Sequence, residues 1–272
     1  SAGNAGLSTT DTANYTVDTV EPTVSISMDD TALEVGDTST VTFTFSEVVT
    51  GFAAADVTVA NGSITDPTSD DGGITYTATY TPTDNVTDTS NVITVDNTGV
   101  TDSAGNAGLS TTDTANYTVD TAEPTVSISM ADTALVTGET TTVTFEFSEE
   151  VSGFTLDDIS EDGTGSLSSL ATTDSIIYTA TYTPTASSTN ATNVITVNTS
   201  GVTDAAGNAG VVDGTSSNFT VDTSATAITV DAVATNDIVN ASEAAGGVYI
   251  SGEGNVGDLI TLSFESGSTL TT

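Results

Sequence analysis

A run of nineteen residues occurs twice in this chain without a change of letter. Residues 1–19 read SAGNAGLSTTDTANYTVDT, and residues 103–121 read the same. A diverged third copy, AAGNAGVVDGTSSNFTVDT, occupies 205–223. Asp18, Asp120 and Asp222 therefore follow one another at equal spacing, and the intervening segments align as well. EPTVSISMDDTALEVGDTSTVTFTFSE matches EPTVSISMADTALVTGETTTVTFEFSE, and ITYTATYTPT matches IIYTATYTPT. A period of roughly 100 residues is too long for a solenoid and is the size of one independently folding domain.

Within a period the pattern is strand after strand. Every second residue is apolar in Val24-Ser25-Ile26-Ser27-Met28, in Val41-Thr42-Phe43-Thr44-Phe45 and in Ile74 to Tyr80. Alternation puts one face of a strand on a core and leaves the Thr/Ser face in water, where β-branched Thr is well suited. Gly, Asp, Asn and Pro punctuate the runs. About seven short strands per roughly 100 residues predict an all-β chain of tandem immunoglobulin-like β-sandwich domains. The disulfide and core Trp of antibody domains are absent, since the chain has 0 Cys and 0 Trp. The expected domains run over 20–121 and 122–223. Residues 1–19 read as the last strand of a preceding repeat. Residues 224–272 read as a partial repeat of another subtype, with strands near 227–230, 248–251 and 259–264.

Composition then limits the chemistry. The 272 residues include 38 Asp+Glu but 0 Lys+Arg and 0 His, a formal net charge of -38. No imidazole base, thiolate, Schiff-base amine or arginine clamp is available, so catalysis by triads, zinc–histidine sites or phosphoryl transfer is excluded and no enzyme is expected. Nucleic acid and anionic membranes would be repelled. The remaining donors are carboxylate, amide, hydroxyl and backbone oxygens, the ligands of hard cations, calcium above all. The first residues lack the basic and apolar regions of a signal peptide, and no apolar run approaches the roughly 20 residues that span a bilayer. The sequence starts and ends inside repeats, so it reads as a window from a longer chain whose targeting signals lie elsewhere, with no direct membrane insertion.

The ordered motifs DT-x-EPTVSIS, a GDT/GET turn, TVTFxFSE, GF, YTATYTP, NVITV, TDxAGNAG and NYTVDT resemble the bacterial Ig-like repeats of giant adhesins, a class often secreted by type I systems. The resemblance covers both full repeats. It implies an extracellular, cell-surface extender that holds a binding domain away from the cell in adhesion or biofilm formation. Calcium stiffens the junctions in that family, and host, surface or glycan ligands are met through other domains.

In a seven-stranded sandwich whose strands alternate between two poles, three segments share one pole: the incoming linker, the loop after the second strand, and the loop before the last strand. For the first repeat these supply Asp18, Glu21, Glu47, Asp102 and Asn106. For the second they supply Asp120, Glu123, Glu149, Asp204 and Asn208. Calcium takes 6–8 oxygens, and such a set can offer them. The linker is short and carries Pro, so an ion there would fix one repeat against its neighbour. The competing reading makes these acids solvated turn residues, with Asp102 and Asn106 only shaping a tight loop. At the third occurrence Asp222 lacks the following Glu-Pro, so its site is altered. Asp237, Asn240 and Glu243 are further candidates.

Gly252 to Gly257 fits the letters of GxGxxG, but a strand pattern follows where a dinucleotide site needs a helix. Phe52 and Phe154 read as packing residues rather than a binding platform. Three functions remain open: a calcium-stiffened stalk, a glycan-binding module, or a subunit of an extracellular filament or surface layer.

Overall fold

The computed structural model describes residues 13–224, together with the backbone of two short paired strands, Thr261–Ser263 and Thr269–Thr271. The expected strands near 227–230 and 248–251 and the candidates Asp237, Asn240 and Glu243 lie outside the described residues. So does most of the 1–19 copy before Ala13. The chain forms two compact units, Ser1–Ala122 and Glu123–Thr272.

The first unit contains β1 (Val24–Met28), β2 (Ala32–Leu33), β3 (Ser39–Phe45), β4 (Val49–Thr50), β5 (Val57–Val59) and β6 (Gly62–Ile64). It continues with β7 (Thr75–Pro82), β8 (Thr87–Asn91), β9 (Ile93–Asp96), β10 (Thr101–Asp102), β11 (Thr111–Asp113) and β12 (Tyr117–Asp120). One layer is the antiparallel sheet β1-β3-β7-β6. Its central strand alternates as the sequence requires: Val41, Phe43 and Phe45 are buried, while Thr40 and Thr44 are exposed. The register sets Ile26 and Tyr76 on either side of Phe43. Cross-strand rows of this kind are the unit of sheet stability.

The other side is built from β2-β12-β8 and β11-β9-β5. Here β8 and β9 are one extended run that changes partners at the exposed Val92. Asn91 Nδ2 donates to the carbonyls of Asp88 and Tyr117 at the break, which takes up the backbone acceptors where the ladder shifts. This partner change, with the short strands β4, β10 and β11, makes more segments than the seven expected. The last strand β12 lies antiparallel to β8 and parallel to β2, with Val119 opposite Leu33.

The second unit repeats the plan with β13 (Val126–Met130), β14 (Ala134–Val136), β15 (Thr141–Phe147), β16 (Ile159–Glu161) and β17 (Gly165–Thr172). Then follow β18 (Ile177–Pro184), β19 (Thr189–Asn193), β20 (Ile195–Val197), β21 (Gly214–Thr215) and β22 (Phe219–Asp222). Its main sheet is β13-β15-β18-β17. Each unit buries its own apolar cluster, around Phe43, Tyr80 and Tyr117 in the first and Phe145, Tyr182 and Phe219 in the second. Phe52 meets Phe43, Phe45 and Tyr76 edge-on at 5.0, 5.1 and 5.2 Å. Phe154 repeats this against Phe145, Phe147 and Tyr178. Both residues pack in the core.

Candidate metal centre

Strand β10 ends in Asp102, and the chain turns through Ser103-Ala104-Gly105-Asn106. Gly105 has φ +94°, a backbone state that glycine enters without a Cβ clash. The turn folds onto the Asp102 carboxylate. Oδ1 accepts the N–H groups of Ala104, Gly105 and Asn106 at 2.8, 2.7 and 2.8 Å, and Oδ2 accepts Asn106 Nδ2 at 2.7 Å. Asp102 is 4% exposed. The Asn106 side-chain donor, followed by these backbone donors, holds its pKa below the ordinary 3.8 against the opposing cost of burial. The carboxylate is thus buried, ionised and fixed in direction.

Two other segments reach the same place. Asn106 Nδ2 also donates to the Asp18 carbonyl at 3.3 Å, which draws in the segment that leads into the unit. Ser46, directly after β3, receives the Thr23 N–H on its Oγ at 3.0 Å and donates its own N–H to the Thr23 carbonyl at 2.9 Å. This double bond pair presents Glu47. Carboxylate oxygens of Asp18, Glu47 and Asp102 lie within 4.8 Å of one another. Asp18 is exposed, Glu47 half-buried and Asp102 buried. Glu47 has its pKa raised above 4.5, first by burial and then by the charges of Asp102 and Asp18. Like charges at this separation disfavour ionisation, and the protein has no basic side chain to offset them.

The donor set fits a hard cation. The atoms that meet are the carboxylate oxygens of Asp18, Glu47 and Asp102, which Asn106 braces through its Nδ2 donor. A carboxylate has about four acceptor directions. The turn uses three on Asp102 Oδ1 and one on Oδ2, so Oδ2 keeps capacity for an ion.

Glu21 does not join the group. It is exposed and precedes the buried Pro22. In the second unit Asp204 receives the N–H groups of Gly207 and Asn208 on Oδ1 at 2.7 and 2.9 Å and Asn208 Nδ2 on Oδ2 at 2.8 Å. Asp204 and Asn208 are both buried. A Glu149 carboxylate oxygen lies within 4.8 Å of one on Asp204, and Ser148 makes the same double bond pair with Thr125. Glu123 is half-buried. Asp120 closes β12 in the first unit, where its Oδ1 accepts from Thr87 Oγ1 at 2.9 Å. Asp222 closes β22 and accepts from Ser224 Oγ at 2.7 Å and Thr189 Oγ1 at 3.0 Å, contacts that lower its pKa. Sequence reasoning passed over Glu150. With Val151, Ser152 and Ser175 it lines a shallow groove of about 330 Å³ beside Asp204. The doubled Glu149-Glu150, where the first repeat has Glu47-Val48, was the available signal.

The sequence also matches a known family description, the bacterial Ig-like domain, twice in succession over residues 18–119 and 120–222. The chain belongs to that family. No curated protein matches it. Among solved structures it is similar to the Escherichia coli adhesin FdeC, with 20% identity over 76% of this chain and 67% of that one and a TM-score of 0.30. It is also similar to the Yersinia pseudotuberculosis adhesin InvE, with 16% identity over 74% of this chain and 58% of that one, also at 0.30. A tandem from titin follows at 9% identity, covering 74% and 65%, with a TM-score of 0.26. The Ig-like assignment rests on the family match and the sandwich. Among the described residues no helix is long and apolar enough to cross a membrane.

Proposed function

We propose that this chain is an extender stretch of a bacterial cell-surface adhesin, stiffened by calcium where one Ig-like unit follows another. The observation that carries the calcium reading is the meeting of Asp18, Glu47 and Asp102 within 4.8 Å. Asp102 is held in place by the AGN turn, Glu47 by the Ser46–Thr23 bonds, and Asp18 by Asn106. An ion bound there ties the entering segment to two loops of the unit. It also relieves the repulsion from Asp102 and Asp18 that, after burial, raises the Glu47 pKa. By the sequence period the same donor types recur as Asp120, Glu149, Asp204 and Asn208. The link between Val119 and Pro124 is only four residues, so an ion beside it removes most of its freedom.

A mechanical rather than catalytic role agrees with the composition. Acids placed at the repeat period make no unique site, and 0 Lys+Arg, 0 His and 0 Cys leave no usual nucleophile or base. The chain's partners in this reading are calcium and its neighbouring repeats, with surface or glycan ligands met by other domains outside the cell. Type I secretion and biofilm formation belong to the same reading.

Calorimetric titration of calcium into the whole chain tests the proposal, with Glu47→Gln as the companion variant. Extracellular calcium modules bind at about 10⁻⁴–10⁻³ M, and ten times Kd of free calcium adds roughly 1.4 kcal/mol to the stability of a unit. Binding in that range, weakened in the variant, together with small-angle scattering that changes on adding chelator, supports the stalk. No binding and identical scattering in both conditions defeats it.

A further inference from the structure

The loop that leads into Asp102 carries a buried amide outside the group of carboxylates. Asn97 opens a single helical turn, Asn97–Gly99, just before β10, and is 3% exposed. Its N–H donates to the Ser110 carbonyl and its carbonyl accepts the Val100 N–H, each at 3.2 Å, so the side chain stands on a fixed backbone. Nδ2 donates to the Pro22 carbonyl at 2.6 Å, across 75 residues of chain. Oδ1 is buried with no hydrogen-bond partner among the described residues. An unmet acceptor in the interior is a cost to the fold. Turning the amide over would aim Oδ1 at the Pro22 oxygen, so the bond to Pro22 dictates which way the amide faces. A Cβ on Gly108 would come within 2.2 Å of Nδ2, so that glycine makes room for the amide.

Pro22 ends the segment that carries Asp18. Asp18 to Glu21 are exposed, and Pro22 is buried. Asn106 grips this segment at the Asp18 carbonyl at 3.3 Å, and Asn97 grips it at Pro22. A hydrogen bond in a low-dielectric interior is stronger than the same bond in water, so the inner grip is the firmer. Asn97 and Asp102 share one short stretch of chain, which therefore both supplies a carboxylate and holds the segment that brings another. One repeat later the position is Thr199. A hydroxyl has one proton to give, and Thr199 Oγ1 gives it to the Val212 carbonyl at 3.2 Å. The Pro124 carbonyl receives nothing from this position. We infer that Asn97 is a positioning residue for the cation: the bond from its buried amide to the Pro22 carbonyl pre-sets the segment that brings Asp18 to Glu47 and Asp102, a device the second unit lacks at Thr199. The inference rests on the calcium reading above. A segment ordered in advance spares the ion the entropy of ordering it.

Calcium is titrated calorimetrically into the whole chain carrying Glu149→Gln, so that the heat reports mainly the first site. Amide exchange of the same chain is followed in chelator. Adding Asn97→Thr places here the residue that the fold already accepts at 199. Freeing about one residue of backbone corresponds to roughly tenfold in affinity, and binding is expected to weaken by about that factor. Exchange should quicken at the Val20 and Thr23 N–H groups, which are bonded to Asp18 and Ser46, and stay unchanged in β3 and β7. An Asn97→Thr chain that binds calcium as its parent does overturns the inference and leaves the calcium reading intact. A loss of affinity with faster exchange throughout β3 and β7 also overturns it, since the whole unit has then loosened. Absence of binding in the parent chain defeats the calcium reading and the inference with it.

Discussion

Phe52→Ala tests the claim that the GF motif is a core wedge. Phe52 is 8% exposed and meets three rings edge-on at 5.0 to 5.2 Å. Removing a buried Phe side chain costs about 3–5 kcal/mol. Three aromatic pairs, each contributing about 0.5–1.5 kcal/mol beyond area, place this site toward the upper end. For a unit of this size 1 kcal/mol corresponds to roughly 4–8 °C, so the melting temperature of the first unit should fall by about 15–40 °C. Differential scanning calorimetry should show that drop in one transition only, because the second unit has its own wedge in Phe154 and its own core. Phe154→Ala should shift the other transition instead. Phe52→Leu, which keeps most of the volume, should cost less than half as much. A fall of only a few degrees for Phe52→Ala would mean that the ring is a surface feature, and the core argument would be wrong. Equal shifts of both transitions would show that the two cores are not separate.

Other expectations concern charge and backbone space. Glu47 has a raised pKa, so without cation the folded unit loses stability as pH rises past 4.5, through the folded value. Glu47→Gln should therefore be more stable than wild type at pH 7 in chelator and equal to it below the ordinary value. In millimolar calcium the order at pH 7 should reverse; thermal melts across pH in both buffers read this. Asp71 accepts the N–H groups of Ile74 and Thr75 and the Ser69 hydroxyl, and its pKa is lowered, mainly by Thr75 N–H. Its contribution is present above 3.8 and lost as pH falls, so Asp71→Asn should flatten the acid limb of a stability–pH curve. A Cβ on Gly62 would sit 2.4 Å from the Tyr80 ring, so Gly62→Ala should lower the first transition by at least several degrees, whereas Gly36→Ala, with open space around it, should act only through backbone strain.

The strand pattern was legible because each long strand has one wet and one dry face, and Thr marks the wet one along β3 and β7. The meeting of Asp18, Glu47 and Asp102 was legible for a topological reason: an alternating sandwich returns those three segments to one pole. Glu21, three residues on from Asp18, is exposed while Pro22 is buried, and it does not join the carboxylates of Asp18, Glu47 and Asp102. The partner change at Val92 was not legible. It depends on Asn91 bonding to Tyr117, 26 residues away. Nor was the polar knot in which Asn61 Nδ2 reaches both Asp88 and Asn91. No period in the sequence joins those residues.

The parallel pairing of β2 with β12, and of β14 with β22, bears on how such a unit meets tension. A load applied at the two ends of a unit pulls an early strand and the final strand in opposite directions along their shared axis. Their bonds then slide against one another as a set rather than opening one at a time like a zip. A two- or three-residue ladder placed there acts as a latch, and a flow-exposed tether gains most from one at that position.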